Sequence, residues 1–173
     1  VPSGVLENSN ENAYTSLRKE LVDRQKLIGV ISMPSGIFAA PSKKGSSSKG
    51  AGVKTYFIIF QKTDNGGTDN VWFYDMHNDG FSLDVKRTPI EGTDIPDIIE
   101  RYKHLSDEES RSRKDKSFLV PVDEIRAKNY ILALNEYKDM PYCEKEHRSV
   151  EEIFADIMAT VEQESELRKK IKL

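Results

Sequence analysis

The sequence predicts an α/β domain followed by a mostly helical tail, with the change near residue 92. Three observations carry this. Short runs rich in β-branched and aromatic residues, at 26–32, 53–62 and 70–75, have the length and composition of buried strands. A segment at 11–25 carries apolar residues at helical spacing. Beyond residue 92 the clearest element is a long stripe of helical period that begins at Val150.

In chain order, residues 1–6 are too short for a free-standing strand and read as the last turn of one begun upstream. Asn10 is placed to cap the helix at 11–25, with Ala13, Tyr14, Leu17, Leu21 and Val22 on one face. The strand at 26–32 ends at Met33-Pro34-Ser35-Gly36, because the residue before a proline leaves the helical region and proline donates no N–H. A loop rich in Ser, Gly and Lys spans 40–52. The strands at 53–62 and 70–75 are joined by Thr63-Asp64-Asn65-Gly66-Gly67, which predicts an antiparallel hairpin between them.

Residues 78–92 read as irregular chain. A short helix follows from Ile95 to Tyr102, with Pro96 in its first turn. The charge run at 107–116 reads as solvated, residues 117–121 as extended and 122–126 as a single helical turn. Ser149 and Glu152 form a capping box for the last helix, which continues to about Lys170. Its apolar stripe is Val150, Ile153, Phe154, Ile157 and Val161.

Composition narrows the function. The chain has 173 residues, 37% hydrophobic and 32% charged, so a modest core is expected. A formal net charge of -3 gives no global attraction to nucleic acid, and any such contact needs a local basic patch. Cys143 is the single cysteine, and His77, His104 and His147 lack ligand spacing, so neither a disulfide nor a bound metal is expected. The apolar run at 56–60 is too short to span a membrane and no signal peptide is visible, which points to a cytoplasmic protein. The opening Val1-Pro2-Ser3-Gly4, without an initiator Met, reads as a piece of a longer protein, and a processed terminus would look the same.

A local basic patch does exist. Lys43, Lys44, Lys49 and Lys54 are set in a stretch with no acid between Pro41 and Lys54, and are candidates for DNA-backbone contact; the competing reading is a merely soluble loop. Gly45-Ser46-Ser47-Ser48-Lys49-Gly50 lacks the G-x-x-x-x-G-K-[ST] spacing of a phosphate loop. Trp72, Phe73 and Tyr74 suit sheet packing, and Asp75 suits the end of a strand better than catalysis. Arg111, Arg113 and Lys114 are interleaved with acids and read as a solvated face.

The ordered set of segments is more specific than any one of them. Val1-Pro2-Ser3-Gly4-Val5-Leu6, Leu17-Arg18-Lys19-Glu20-Leu21, the run from Val30 through Pro34-Ser35-Gly36-Ile37-Phe38, the strand at 54–62, Val71-Trp72-Phe73-Tyr74-Asp75, Pro96-Asp97-Ile98-Ile99-Glu100 and Asn129-Tyr130-Ile131-Leu132 resemble, in that order, the M subunit of type I restriction-modification enzymes. The resemblance implies the C-terminal part of a Rossmann-like methyltransferase sheet, with an antiparallel hairpin at one edge. On that map residues 1–5 end the fifth strand, and 28–32 and 53–62 are the last two. It also implies N6-methylation of adenine with S-adenosylmethionine.

The family's Gly-rich cofactor loop and Asn-Pro-Pro-aromatic motif do not occur in this sequence. The chain alone is therefore expected to be inactive, to contain no catalytic residue and to bind no S-adenosylmethionine, while its parent does both. The resemblance places Phe38 against the flipped target base, where a replacement π-face is worth about 1–3 kcal/mol. It implies double-stranded DNA, a specificity subunit and a restriction subunit as partners, with the Val150–Val161 stripe facing the specificity subunit. Unpaired strand edges would also favour pairing between copies of the chain. The alternative is a non-enzymatic protein-interaction module. A small unrelated enzyme has no nucleophile–base pair or metal cluster to support it.

Overall fold

Asn70-Val71-Trp72-Phe73-Tyr74-Asp75 carries large apolar side chains on both faces of a strand, and the sheet is built around it. In the computed structural model, which describes residues 1–38, 52–83, 86–139 and 150–171, four strands are present. They are β1 (Lys26–Ser32), β2 (Tyr56–Gln61), β3 (Asn70–Asp75) and β4 (Ser117–Pro121), in the spatial order β2-β1-β3-β4. β1 is antiparallel to β2 and parallel to β3, and β3 is antiparallel to β4.

The hairpin expected between β2 and β3 does not form. The two run in opposite directions, but β1 lies between them. The glycine turn is used differently: Gly66 donates to the Arg24 carbonyl (2.8 Å), and Thr68 Oγ1 accepts from the Leu27 N–H (2.8 Å) and donates to the Gln25 carbonyl (3.2 Å). The turn thus crosses the start of β1 instead of closing a two-strand ribbon. At Gly66, with φ of 75°, a Cβ would lie 2.7 Å from the Asp23 carbonyl oxygen.

Both sheet faces pack apolar side chains, although Phe57 and Phe60 on β2 stay exposed. One side gathers Leu6, Val22, Leu27, Val30, Tyr56, Val71, Phe73, Phe118, Val120, Ile125, Leu132, Leu134 and Tyr137; the other gathers Ile31, Trp72, Tyr74 and Met76. Strand alternation puts Phe73 and Trp72 on opposite sides. In β1, Leu27 and Val30 share a side although three residues apart, because the pairing register with β2 slips between Leu27 and Gly29. Gly29 leaves room for the indole: a Cβ there would sit 3.0 Å from the Trp72 ring.

The sequence divides near residue 92, but β4 comes from beyond it and completes the sheet. The compact unit runs over Val1–Met140, and Pro141–Leu173 forms a second. Val1 and Tyr56 exchange backbone hydrogen bonds (2.7 and 2.8 Å), and the Ser3 N–H donates to the Lys54 carbonyl. The strand pairing expected over residues 1–5 stops there, because the chain turns into α1 (Ser3–Glu7).

The next helix, α2 (Asn12–Lys19), continues as a wider turn over Glu20–Arg24. Its N-cap is Glu11, not Asn10, whose N–H instead donates to Asn8 Oδ1. Ala13 and Leu17 are exposed, whereas Arg18 and Val22 are buried. The Arg18 guanidinium donates to the carbonyls of Val5 (2.6 Å) and Asn8 (3.0 Å) and to Thr15 Oγ1. It satisfies carbonyls at the end of α1 that no helical N–H reaches, which offsets the cost of its burial.

α3 (Ile95–Lys103) and a tight turn at Leu105–Ser110 cover the Trp72 side. The charge run expected to be solvated contributes a buried carboxylate: Glu108, 1% exposed, accepts from Trp72 Nε1 (3.1 Å) and from Arg101 (3.0 Å). Tyr74 donates to Asp97 at 2.7 Å; burial first, and that bond second, push its phenol well above the ordinary range. α4 (Val122–Ala127) closes the other side.

The second unit contains α5 (Val150–Ile171). Phe154, Ile157, Met158, Val161 and Leu167 are exposed on it. The side chains of Val150 and Ile153, and the cap residue Ser149, lie outside the described residues. No described helix is long and apolar enough to cross a membrane.

Candidate functional site

Because β1 and β3 are parallel, both end on one edge of the sheet, at Ser32 and Asp75. That carboxyl-end edge is where open α/β sheets hold ligands. The chain leaving β1 forms the turn that carries Phe38, whose side chain is 65% exposed. Pro34 stops the strand, and Gly36 takes a φ of 100°, which only glycine adopts easily.

The chain leaving β3 is irregular in sequence but closely bonded. The Asp94 carboxylate accepts the N–H groups of His77 (2.7 Å) and Asn78 (3.0 Å) and the Lys116 ammonium (2.5 Å). Burial alone would raise its pKa; these bonds hold it below the ordinary carboxylate value. Asn78 ties Gly80 to Gly92, and Phe81 bridges to Pro89. Arg87 pairs with Asp79 and lies over the Phe81 ring at 5.4 Å. Phe81, Leu83 and Ile90 nevertheless remain exposed. Sequence reasoning missed this loop, although apolar residues at 81, 83 and 90 in polar surroundings were the available signal.

Asp75 is no isolated carboxylate. It accepts from Lys138 Nζ (2.5 Å) and meets His77 Nε2 (3.0 Å), and these partners outweigh its burial and hold its pKa below the ordinary value. Its role as a strand-end anchor fits that pairing.

Of the four lysines proposed from sequence, Lys43, Lys44 and Lys49 lie outside the described residues. Lys54 is described: its ammonium lies 3.7 Å from Glu7 and 5.1 Å from the Tyr56 ring centre, and the Tyr56 hydroxyl donates to the same Glu7 (2.7 Å). Among the described residues no cluster of His, Cys, Asp or Glu has the size of a metal site.

Two cavities lie elsewhere. One, of about 250 Å³, is at the opposite end of the sheet, beside Lys26 and Asn70. The other, of about 180 Å³, is lined by Asp97, Glu100, Arg101, His104, Asp107 and Glu108.

The mixed α/β sheet is of the methyltransferase type. It is similar to the crystal structure of the type I restriction-modification methyltransferase subunit from Streptococcus thermophilus, with a TM-score of 0.56 and 25% identity, covering 80% of this chain and 25% of that one. A chain from a structure of type I restriction-modification complex assembly and conformational transition gives a TM-score of 0.58 at 22% identity, covering 99% of this chain and 34% of that one, a likeness of fold alone.

Residues 1–146 match the family described as N-6 DNA Methylase, and the chain belongs to that family. It is 25% identical over 162 residues to the type I restriction enzyme MpnII methylase subunit of Mycoplasma pneumoniae, covering 94% of this chain and 26% of that protein. The chain thus spans 25% to 34% of the length of these relatives.

Proposed function

We propose that this chain supplies the target-base side and the assembly tail of an adenine-N6 DNA methyltransferase subunit of the type I restriction-modification class. The observation that carries the reading is Phe38: an aromatic ring, largely exposed, at the carboxyl end of a strand that is parallel to its neighbour. Exposing a phenyl ring there costs burial energy, which a stacked base would recover. Lys43, Lys44 and Lys49 would neutralise phosphates beside it. Lys54 would exchange Glu7 for a phosphate only on DNA binding. The exposed residues Phe154, Ile157 and Val161, in line with Val150 and Ile153, form the surface for the specificity subunit, and a restriction subunit completes the complex.

S-adenosylmethionine, when bound by the parent, supplies the methyl group, and residues outside this chain hold it. The reading places the protein in the cytoplasm. In isolation, β2 presents Phe57 and Phe60, both exposed, and among the described residues its outer edge is met by Val1–Ser3 at its start, which leaves the rest to favour association between copies.

The test has two parts. The parent, combined with its specificity subunit, should methylate adenine N6 in duplex DNA. Calorimetry on this chain alone should give no heat of binding with S-adenosylmethionine; micromolar binding would reject the assignment of the cofactor site to other parts of the parent.

A further inference from the structure

An exposed ring can serve as a stacking platform only if its backbone is held, because its own packing does not hold it. Such a constraint lies two residues before Phe38, at Gly36. A Cβ on Gly36 would lie 3.2 Å from the Leu83 carbonyl oxygen and 3.6 Å from Leu83 Cβ. From another side, a Cβ on Gly52 would lie 2.5 Å from Gly36 Cα and 2.7 Å from Gly36 N. Three segments therefore converge on Gly36: the turn after β1, the approach to β2 and the loop after β3. The first two meet backbone to backbone, which requires that Gly52 lack a side chain, while at Gly36 the φ of 100° and the Leu83 carbonyl disfavour one.

The third segment is built to press on this point. The loop carrying Leu83 is anchored by Asp94 to His77, Asn78 and Lys116, and closed by the Phe81–Pro89 bridge and the Arg87–Asp79 pair. Leu83 itself is 47% exposed, so its place is set by this bonding rather than by burial of its side chain.

The geometry points to Gly36 as a positioning residue for Phe38, wedged between Gly52 and Leu83 so that the ring is presented in one direction to the target base. This rests on the stacking role proposed for Phe38.

The experiment is a double-mutant cycle in the full-length subunit assembled with its specificity subunit, on duplex DNA carrying its recognition site. Gly36→Ala should lower methylation turnover on the order of 10- to 100-fold, as small misplacements of a substrate-positioning group do, with S-adenosylmethionine affinity retained. In a Phe38→Ala background, Gly36→Ala should cause no further loss, because the residue acts through the ring. A full additional loss in that background, or normal turnover of Gly36→Ala alone, overturns the proposal while leaving Phe38 in place. If Gly36→Ala does not fold, Gly52→Ala presses on the same backbone from the other side and is read in the same way. Failure of both to fold assigns the glycines to the fold and also overturns it. Normal turnover of Phe38→Ala alone removes the underlying stacking role instead, so the two failures are distinct.

Discussion

The indole N–H of Trp72 donates to the buried carboxylate of Glu108 at 3.1 Å, tying the centre of the sheet to the turn after α3. Arg101 binds the other oxygen of the same carboxylate at 3.0 Å, and Arg111 lies 3.7 Å from it. The charge is thus buried with two guanidinium groups and an indole donor around it.

Glu108→Ala should destabilise the domain by about 1–3 kcal/mol, because it leaves the buried indole N–H of Trp72 unpaired, while Arg101 keeps Asp97 and Arg111 keeps the Ser117 carbonyl. Glu108→Gln keeps an acceptor for the indole and should cost less. Urea unfolding followed by tryptophan fluorescence, with Trp72 the single tryptophan, measures both. A loss below about 0.5 kcal/mol for the alanine variant would mean that the site is solvated after all.

Acid should weaken the fold through Asp94. Its pKa is lowered in the folded state from the ordinary 3.8. A depressed carboxylate adds stability that is fully present above the unfolded value and is lost as pH falls through the folded value. Asp94→Asn should therefore lower the urea midpoint at neutral pH, and the two proteins should converge as pH falls through the lowered pKa of Asp94. A difference of equal size at neutral pH and below that pKa would contradict the assignment.

α5 should serve assembly rather than the core of the Val1–Met140 unit. Its Phe154, Ile157 and Val161 are all more than half exposed. Deleting residues 162–173, or making Phe154→Glu, should leave the thermal midpoint of the main unit within a few degrees, consistent with the small effect of surface changes. Co-purification with the specificity subunit should fall. Loss of folding would make the helix part of the core, and retained co-purification would place the partner elsewhere.

The local elements were legible because they depend on local patterns. β1 and β3 have the bounds their β-branched and aromatic runs give, and α3 starts with Pro96 in its first turn as expected. Pairing was legible only in part: the family resemblance implied an antiparallel pair at one edge, and β1 with β2 forms one, but nothing local says that β1 enters between the strands that the Gly66-Gly67 turn joins. The inward face of α2 was misread because apolar spacing favoured Ala13 and Leu17, while the end of α1 needed a donor and Arg18 supplied it. Glu108 was hidden in a charge run for the same reason, since its indole and guanidinium partners come from other elements. Phe38 was singled out from the strand-stop and the family resemblance; the convergence of Gly52 and Leu83 on Gly36 was not legible, because it depends on contacts between segments up to 47 residues apart in sequence (83 less 36).

Whether Phe38 faces the target base is decided by a single substitution. Phe38→Ala, in the full-length subunit assembled with its specificity subunit, should lower methylation turnover on duplex DNA by about tenfold or more, the loss of a stacked base worth roughly 1–3 kcal/mol. Affinity for S-adenosylmethionine, measured on the same preparation, should stay unchanged. Unchanged turnover on duplex DNA, with the assembled complex intact, would contradict the account.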